Sequence, residues 1–308
     1  MIQKDLETTI GQYLTFCREQ KRLDEKTIKA YKIDLRQFCS QISDCDPALI
    51  TSTMLETYVV SLHQAFQPKT VKRKIASVKA FFHYLEYRDI IEINPFHKLQ
   101  LHFREPVILP KTIPLATVER FLTEIYHTYN ATDSPKQKRY ILRDIAVSEL
   151  LFGTGIRISE LCALRPEDID LTDQSILIYG KGDKERRLQI GTPAVLAVLT
   201  RYANEFQEEI QQCNRFFVNQ CGRPLSDQSV RRMINKYTSH AAIDQHITPH
   251  MFRHTFATSL LEADVDIRYI QEMLGHSSIN ITQIYTHVAL SKQRDILTTK
   301  HPRKDFHL

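Results

Sequence analysis

The first part of the chain spaces its apolar residues with the period of an amphipathic helix. Three stretches before residue 95 place apolar side chains three or four positions apart, which aligns them on one helix face. These stripes are Ile28, Tyr31, Leu35 and Phe38; then Leu55, Tyr58, Val59, Leu62 and Phe66; then Val71, Ile75, Val78, Phe82 and Leu85. Thr53-x-x-Glu56 at the second stripe predicts a capping box. The pattern therefore predicts a helical domain over residues 1–95.

A change of pattern predicts a second domain. Residues 94–114 hold four prolines without a helical period, and we place a linker at 96–112. Helical periodicity returns at 115–129 and 142–152. Beyond residue 190, most of the remaining chain is again helical in pattern. We expect a mainly α protein with an α-rich second domain over 113–308.

One stretch of the second domain has the alternation of strands. The segments 175–179 and 186–190 are rich in β-branched residues, and a turn containing glycine joins them. The sequence therefore adds a small antiparallel β-sheet to the predicted fold.

Composition narrows the class of protein. The chain has 308 residues, 42% of them hydrophobic and 25% charged, which is ordinary for a globular protein and excludes a collagen-like or largely disordered chain. No run reaches the roughly 18 apolar residues that a membrane span needs, and the first ten residues lack the apolar core of a signal peptide. Six scattered cysteines without a CxxC pair predict free thiols, so we expect a cytoplasmic protein that does not contact a membrane.

The basic residues are clustered. The chain carries 41 basic and 36 acidic residues, a net charge of +5. Residues 69–79 contain five lysines and arginines and no acid, and Lys72 and Lys79 share a helix face away from the apolar stripe. A second cluster comprises Lys136, Lys138, Arg139 and Arg143. Such clusters fit a nucleic-acid backbone, and a solvated helix face is the alternative.

Two motifs place cations at the start of predicted helices. In GTGIRISEL, residues 153–161, Arg157 follows two glycines and precedes a helix, with Glu160 three positions later to orient its guanidinium. In Thr248-Pro249-His250-Met251-Phe252-Arg253-His254, Thr248 is the predicted N-cap and Pro249 the first helical residue. His250 and Arg253 then share one face, whereas we interpret His254 as structural. A surface ion pair is the alternative interpretation of Arg157 and Glu160.

Three further residues complete the candidate chemistry. Lys181 lies between two glycines in the hairpin turn, His276 follows a predicted left-handed glycine cap at Gly275, and Tyr285 comes nine residues later. Each has an ordinary alternative, a solvated lysine or a core tyrosine among them. Together with the two arginines and His250 they could break a phosphodiester without metal: cations neutralise the phosphate, Tyr285 attacks, and His250 and Lys181 move protons. HxxRH is not HExxH, so we expect no metal site.

These motifs resemble those of the tyrosine recombinase (phage integrase) family, most closely its Xer-like members. GTGIRISEL, GKGDKERR, HMFRHTFATSLL, LGHSSI and IYTHV occur in the family's order, and KTIKAYKIDLRQF resembles its helical, SAM-like core-binding domain. The resemblance implies a core-binding domain at 1–95 and a catalytic domain with a C-terminal tail at 113–308. It implies that Arg157 and Arg253 clamp the scissile phosphate while His276 hydrogen-bonds to it. It further implies that His250 is the general base and acid, Lys181 the general acid for the 5′ oxygen and Tyr285 the nucleophile of a 3′-phosphotyrosyl intermediate.

The resemblance also implies partners. We expect double-stranded DNA, a homotetramer or heterotetramer assembled through exchange of the C-terminal tail, and a second recombinase or a DNA translocase as further candidates. The expected DNA contacts are Lys72, Arg73, Lys79, Lys184 and Arg187. No cofactor is expected. The biological role is either resolution of chromosome dimers or integration and excision of a mobile element. Two other functions stay open on the same fold, a non-catalytic DNA-binding accessory protein and a topoisomerase IB-like nicking enzyme.

Overall fold

The computed structural model describes residues 5–42, 46–100, 111–180 and 185–275. The chain divides into two compact units, residues 1–107 and 108–308. The predicted linker at 96–112 includes this division, and its residues 101–110 lie outside the described ranges.

The described part of the first unit is built from four α-helices around one apolar core. They are α1 (Leu6–Glu19), α2 (Glu25–Ile42), α3 (Ser52–Ala65) and α4 (Pro68–Tyr87). All five apolar positions of the predicted α4 stripe are at most 3% exposed, because that face packs against the other helices. Phe82 meets Phe38, Phe81 and Phe96 edge to face. The predicted α4 stripe therefore lies in the core of this unit, and most members of the other two stripes pack in or against that core.

The start of α3 differs from the prediction. Thr51, not Thr53, is the N-cap, and its hydroxyl accepts a hydrogen bond from the Met54 backbone N–H at 3.3 Å. Thr53 is already helical, and its carbonyl accepts from the Thr57 hydroxyl at 3.1 Å. The predicted Thr53–Glu56 capping box is wrong because the backbone is extended at Thr51, which allows the earlier threonine to begin the helix.

The second unit surrounds one long buried helix. Its described helices are α5 (Leu115–Ala131), α6 (Pro135–Thr154), α7 (Ile158–Ala163), α8 (Pro193–Glu205), α9 (Gln207–Cys213), α10 (Asp227–His240), α11 (Pro249–Glu262) and α12 (Ile267–Leu274). Nearly every residue between Ile141 and Leu151 of α6 is buried, as expected for a helix packed on all sides. Helices α5, α8 and α11 pack against it.

A small sheet lies in the same unit. Strands β1 (Ile169–Asp170), β2 (Ser175–Tyr179) and β3 (Glu185–Gln189) form an antiparallel sheet in that order. The hairpin of β2 and β3 confirms the predicted strand pair, displaced by one residue in β3. The short strand β1 has no pattern of its own in the sequence and is formed by pairing with β2. The predicted fold class is therefore confirmed.

Candidate phosphate-binding centre

The first candidate cation lies at a sharp corner between two helices. Helix α6 ends at Gly155, whose φ of +61° lies in the left-handed region. A Cβ there would lie 2.6 Å from the Phe256 ring, so both the conformation and the space require glycine. Arg157 then caps α7. Its backbone N–H donates to Glu160 Oε2 at 3.0 Å, and its Nη1 donates to Glu160 Oε1 at 2.7 Å. The predicted pairing of Arg157 with Glu160 is present.

A second arginine shares the same carboxylate. Arg186 donates to Glu160 Oε1 from Nη1 at 3.0 Å and to Oε2 from Nη2 at 2.7 Å, a bidentate pair. Its side chain is 9% exposed and that of Glu160 is 6% exposed. Sequence reasoning missed Arg186. Strand alternation was the signal available, because Arg186 shares the inward face of β3 with Leu188, and an inward arginine needs a carboxylate partner.

Helix α11 supplies the third cation and a histidine. Thr248 is the N-cap and Pro249 the first helical residue, as predicted. Arg253 is only 5% exposed, and its Nη1 donates to the Gly155 carbonyl at 2.8 Å. His250 lies one turn earlier on the same helix, so the two side chains lie near each other on adjacent turns. Arg157 and Arg253 are thus attached to the same corner around Gly155.

Three successive carbonyls at the end of α12 accept hydrogen bonds from these arginines. The Met273 carbonyl accepts from Arg186 Nε at 2.9 Å, and the Leu274 carbonyl accepts from Arg253 Nη2 at 2.5 Å. The Gly275 carbonyl accepts from Arg157 Nη2 at 3.5 Å. Terminal carbonyls have no partner within their own helix and carry partial negative charge, so cations stabilise them. The chain enters the segment that begins at His276 from this arginine-bound end.

The charges of the centre are maintained at neutral pH. Burial and then the positive charge of Arg157 lower the pKa of Arg253 to about 9, so its guanidinium is still mostly protonated at pH 7. Burial alone would raise the pKa of Glu160, but hydrogen bonds from Arg186 and Arg157 outweigh it and lower that pKa. Three guanidinium groups and one carboxylate leave an excess of positive charge, which suits a phosphate.

His250 is adjusted towards its neutral form. Desolvation of the imidazole, followed by the positive charges of Arg231, Arg253 and Arg157, lowers its pKa, and Asp227 opposes this only in part. A neutral imidazole at pH 7 can accept a proton. Arg231, from α10, was not singled out in the sequence. Burial, followed by the neighbouring His250 and Arg253, also lowers the pKa of His254.

Four of the predicted site residues lie outside the described ranges. Lys181 and Lys184 belong to 181–184, and His276 and Tyr285 belong to 276–308. The structure thus brings together Arg157, Arg253 and His250 with the predicted partner Glu160, and it adds Arg186. The left-handed cap predicted at Gly275 is present, with a φ of +65°.

The candidate DNA contacts differ in their surroundings. Lys72 and Lys79 are exposed on α4, on the side away from its core stripe. Arg73 forms an ion pair with the fully buried Asp34, although its side chain is still 47% exposed. Arg187 lies on the opposite face of β3 from Arg186, and its Nη1 donates to the Ser175 hydroxyl at 3.1 Å.

The second basic cluster of the sequence is largely used within the fold. Arg139 makes a bidentate ion pair with Glu209, at 2.6 and 2.9 Å, and lies over the Phe206 ring. Arg143 is buried and bonded to Asp144 at 2.7 Å. Because both guanidinium groups are paired inside the unit, these two arginines do not form the backbone-binding patch that the cluster had suggested.

Within the described ranges, no helix is long and apolar enough to cross a membrane. Among the same residues, no three His, Cys, Asp or Glu side chains are grouped so that they could hold a metal ion.

Comparison with known proteins identifies the family. The profile of the Phage integrase family matches residues 121–292, and that of the Phage integrase N-terminal SAM-like domain matches residues 10–89. The chain is 68% identical to a tyrosine recombinase of Agathobacter rectalis over 98% of this chain and 99% of that protein. It is 36% identical to tyrosine recombinase XerD of Listeria innocua over 96% of this chain and 98% of that protein.

A solved structure shares the fold. The XerH site-specific recombinase bound to its difH substrate has a TM-score of 0.69 and 23% identity, covering 93% of this chain and 84% of that chain. The arginine-rich centre, the two matching profiles and the full-length relatives lead to one conclusion: the chain belongs to the phage integrase family and is a tyrosine recombinase, an enzyme of site-specific recombination.

Proposed function

We propose that this protein cuts and rejoins double-stranded DNA at a specific site through a 3′-phosphotyrosyl intermediate on Tyr285. The observation that carries the proposal is the convergence of Arg157, Arg253 and His250 at the corner of Gly155, beside the end of α12. An excess of positive charge next to a neutral imidazole is what phosphoryl transfer requires.

In the proposed reaction Tyr285 Oη attacks the scissile phosphorus. A phenol with a pKa of about 10 is roughly 0.1% ionised at pH 7, a deficit of about 4 kcal/mol. His250 accepts the phenolic proton, and the two arginines stabilise the charge on the non-bridging oxygens. The bond from phosphorus to the 5′ oxygen breaks, and Lys181 protonates that oxygen. Attack by another 5′-hydroxyl reverses these steps and joins a new strand.

The chemistry needs neither ATP nor a metal ion. The phosphotyrosine keeps the energy of the broken phosphodiester, and the arginines provide the charge that a cation would otherwise supply. Lys72, Arg73, Lys79, Lys184 and Arg187 would contact the DNA backbone, which positions the enzyme without selecting a sequence.

The assembly and the cellular role are part of the same proposal. A cyclic tetramer held by exchange of the C-terminal tail would pair two DNA sites, and the tetramer is either of this chain alone or of two recombinases. Two cellular roles fit, dimer resolution in chromosome partition with a translocase, or movement of an element. Both place the protein in the cytoplasm.

A covalent capture experiment tests the proposal. Nicked genomic DNA fragments are incubated with the protein in EDTA without ATP, denatured in SDS, and the protein-linked fragments are sequenced. We expect adducts that converge on one short, nearly palindromic site and that disappear in Tyr285→Phe. A site next to the replication terminus would favour dimer resolution, and one at the edge of an element would favour mobility.

Two further assays on the recovered site, one of DNA binding and one of four-way junction formation, address the two alternatives. DNA binding that survives in a protein forming no adduct would favour the accessory protein. Adducts that form while four-way junctions never appear would favour the topoisomerase-like enzyme. The full-length similarity to proteins named recombinases favours neither alternative.

A further inference from the structure

Among the described residues, two arginines bind Glu160, and the side chain of Arg186 is 9% exposed whereas that of Arg157 is 29% exposed. No step of the proposed reaction uses Arg186. Its Nη1 and Nη2 donate hydrogen bonds to the two carboxylate oxygens of Glu160, at 3.0 and 2.7 Å. Its Nε donates to the Met273 carbonyl at 2.9 Å. One side chain from β3 therefore contacts both α7 and α12. These contacts join residues 26 and 87 positions apart in sequence.

The sharing of Glu160 has a consequence for Arg157. With both carboxylate oxygens held by Arg186, the side chain of Arg157 meets Glu160 through Nη1. An arginine alone with a carboxylate tends to form a bidentate pair, which would turn two of its nitrogens towards Glu160 and balance its charge. Arg186 competes for that pairing and supplies the charge that offsets Glu160.

The second contact concerns the end of α12. A Cβ on Gly275 would lie 2.8 Å from Arg186 Nη1 and 2.9 Å from its Cδ, so the guanidinium packs directly on the backbone of the glycine that precedes His276. The neighbouring carbonyls of Leu274 and Gly275 are held by Arg253 and Arg157. Arg186 is thus the third arginine that binds the end of α12, and it is the one that forms a bidentate pair with Glu160.

We propose that Arg186 is a positioning residue of the recombinase: it orients Arg157 towards the scissile phosphate through Glu160 and fixes the end of α12 on which Arg157 and Arg253 also bind. The proposal rests on the proposed function, in which Arg157 binds that phosphate.

The first test compares two DNA substrates. Both carry the site recovered by covalent capture, one with a normal scissile phosphate and one with a methylphosphonate, which lacks the charged non-bridging oxygen. We expect Arg186→Met to slow cleavage of the phosphate substrate on the order of 10- to 100-fold, as for partners that orient a ligand, and to slow methylphosphonate cleavage much less. Arg157→Met should show the same pattern, because both changes act on the neutralisation of that charge.

The control variant removes a similar ion pair elsewhere in the second unit. Arg139→Met breaks the bidentate pair with Glu209 and should cleave both substrates at the wild-type rate. Arg186→Lys retains the charge without the fork and should remain slow on the phosphate substrate. Equal slowing of both substrates by Arg186→Met, or wild-type rates in either Arg186 variant, would overturn the proposal.

A second measurement does not depend on cleavage. The ³¹P line width of inorganic phosphate is followed as each protein is added. We expect broadening by the wild type and by Arg139→Met, and a clear reduction in Arg186→Met and Arg157→Met. Absence of Tyr285-dependent adducts would count against the proposed function alone, since this measurement still reports on the anion site. No broadening by the wild type, or equal broadening by all four proteins, would overturn the role of Arg186.

Discussion

At the scale of single residues, the candidate site is governed by how charges are shared. Glu160 accepts hydrogen bonds from two arginines, and the three carbonyls that end α12 accept from three. His250 is surrounded by positive charge from Arg231, Arg253 and Arg157. A histidine in such a setting gives up its proton at a lower pH than usual, and this makes it available as a base near neutrality.

The lowered pKa of His250 can be measured. An NMR titration of its imidazole should show a midpoint below the ordinary value of about 6.5. Arg231→Gln should move the midpoint upwards, because it removes a positive charge that disfavours the imidazolium. In the pH profile of the cleavage rate, the midpoint on the acidic side should also move to higher pH.

The same shift gives the sign of a stability effect. The unfolded chain binds the proton of His250 more tightly than the folded protein does, so the free energy of unfolding should fall as pH drops below about 6.5.

The control for Arg231→Gln in the NMR titration is Arg232→Gln. Arg232 is exposed on the same helix and is not among the charges that lower the pKa of His250. If Arg231→Gln and Arg232→Gln raised the pKa of His250 equally, the lowering of that pKa could not be assigned to Arg231.

At the scale of elements, the site gathers around the ends of two helices, with side chains supplied by α7, α11 and β3. Helices α6 and α12 both stop at a left-handed glycine, and the cations gather around these two ends. In the first unit, α4 separates its roles by face, with the core stripe on one side and the exposed Lys72 and Lys79 on the other.

The glycine at the end of α12 should tolerate no side chain. Gly275→Ala and Gly222→Ala both place a Cβ on a residue with φ near +65°, at a cost of about 1–2 kcal/mol. Only at Gly275 would the Cβ also collide with Arg186, whereas nothing lies within 4 Å at Gly222. Urea unfolding should therefore show a loss for Gly275→Ala that exceeds the loss for Gly222→Ala by about 1–3 kcal/mol. Equal losses would mean that Arg186 yields freely.

The exposed face of α4 is expected to bind phosphates. Lys72→Ala combined with Lys79→Ala should weaken DNA binding for all sequences and reduce the slope of log K against log salt by about 0.9 for each lost contact. The control Lys72→Arg with Lys79→Arg retains both charges and should retain the slope. A slope unchanged in the alanine variant would remove these lysines from the DNA interface.

At the scale of the whole molecule, the described residues form two large, separate hydrophobic cores, one in each unit. Each unit buries its own set of apolar side chains, and the candidate centre consists entirely of residues from the second unit. In the first unit, the aromatic rings of α1, α2 and α4 pack together with those of α3. The first unit therefore has what a domain needs to fold independently.

Residues 1–100 should fold as an isolated fragment. This range holds the four described helices of the first unit together with Phe96 and Leu99, which pack on its core. Circular dichroism should show a helical spectrum and one cooperative thermal transition. A gradual loss of signal without a transition would show that the core depends on the second unit. A matched fragment with Phe82→Ala, which removes a fully buried ring, should unfold at a clearly lower temperature.

The sequence alone determined the features that depend on local spacing. The helical stripes of the first unit, the hairpin of β2 and β3, the cap at Gly275 and the adjacent positions of His250 and Arg253 follow from periods of 3.6 and 2 and from the conformations of glycine and proline. The motifs between Arg157 and Tyr285 also carried the family resemblance.

Only the tertiary structure decided which charges meet. Arg186 and Arg187 are adjacent in sequence, yet one enters the centre and the other faces away, because β3 packs with one face inward. Arg139 belongs to a basic cluster in the sequence, yet the docking of α9 against α6 pairs it with Glu209. Ion pairs between distant residues depend on how whole elements dock, and local periodicity holds no information about that docking.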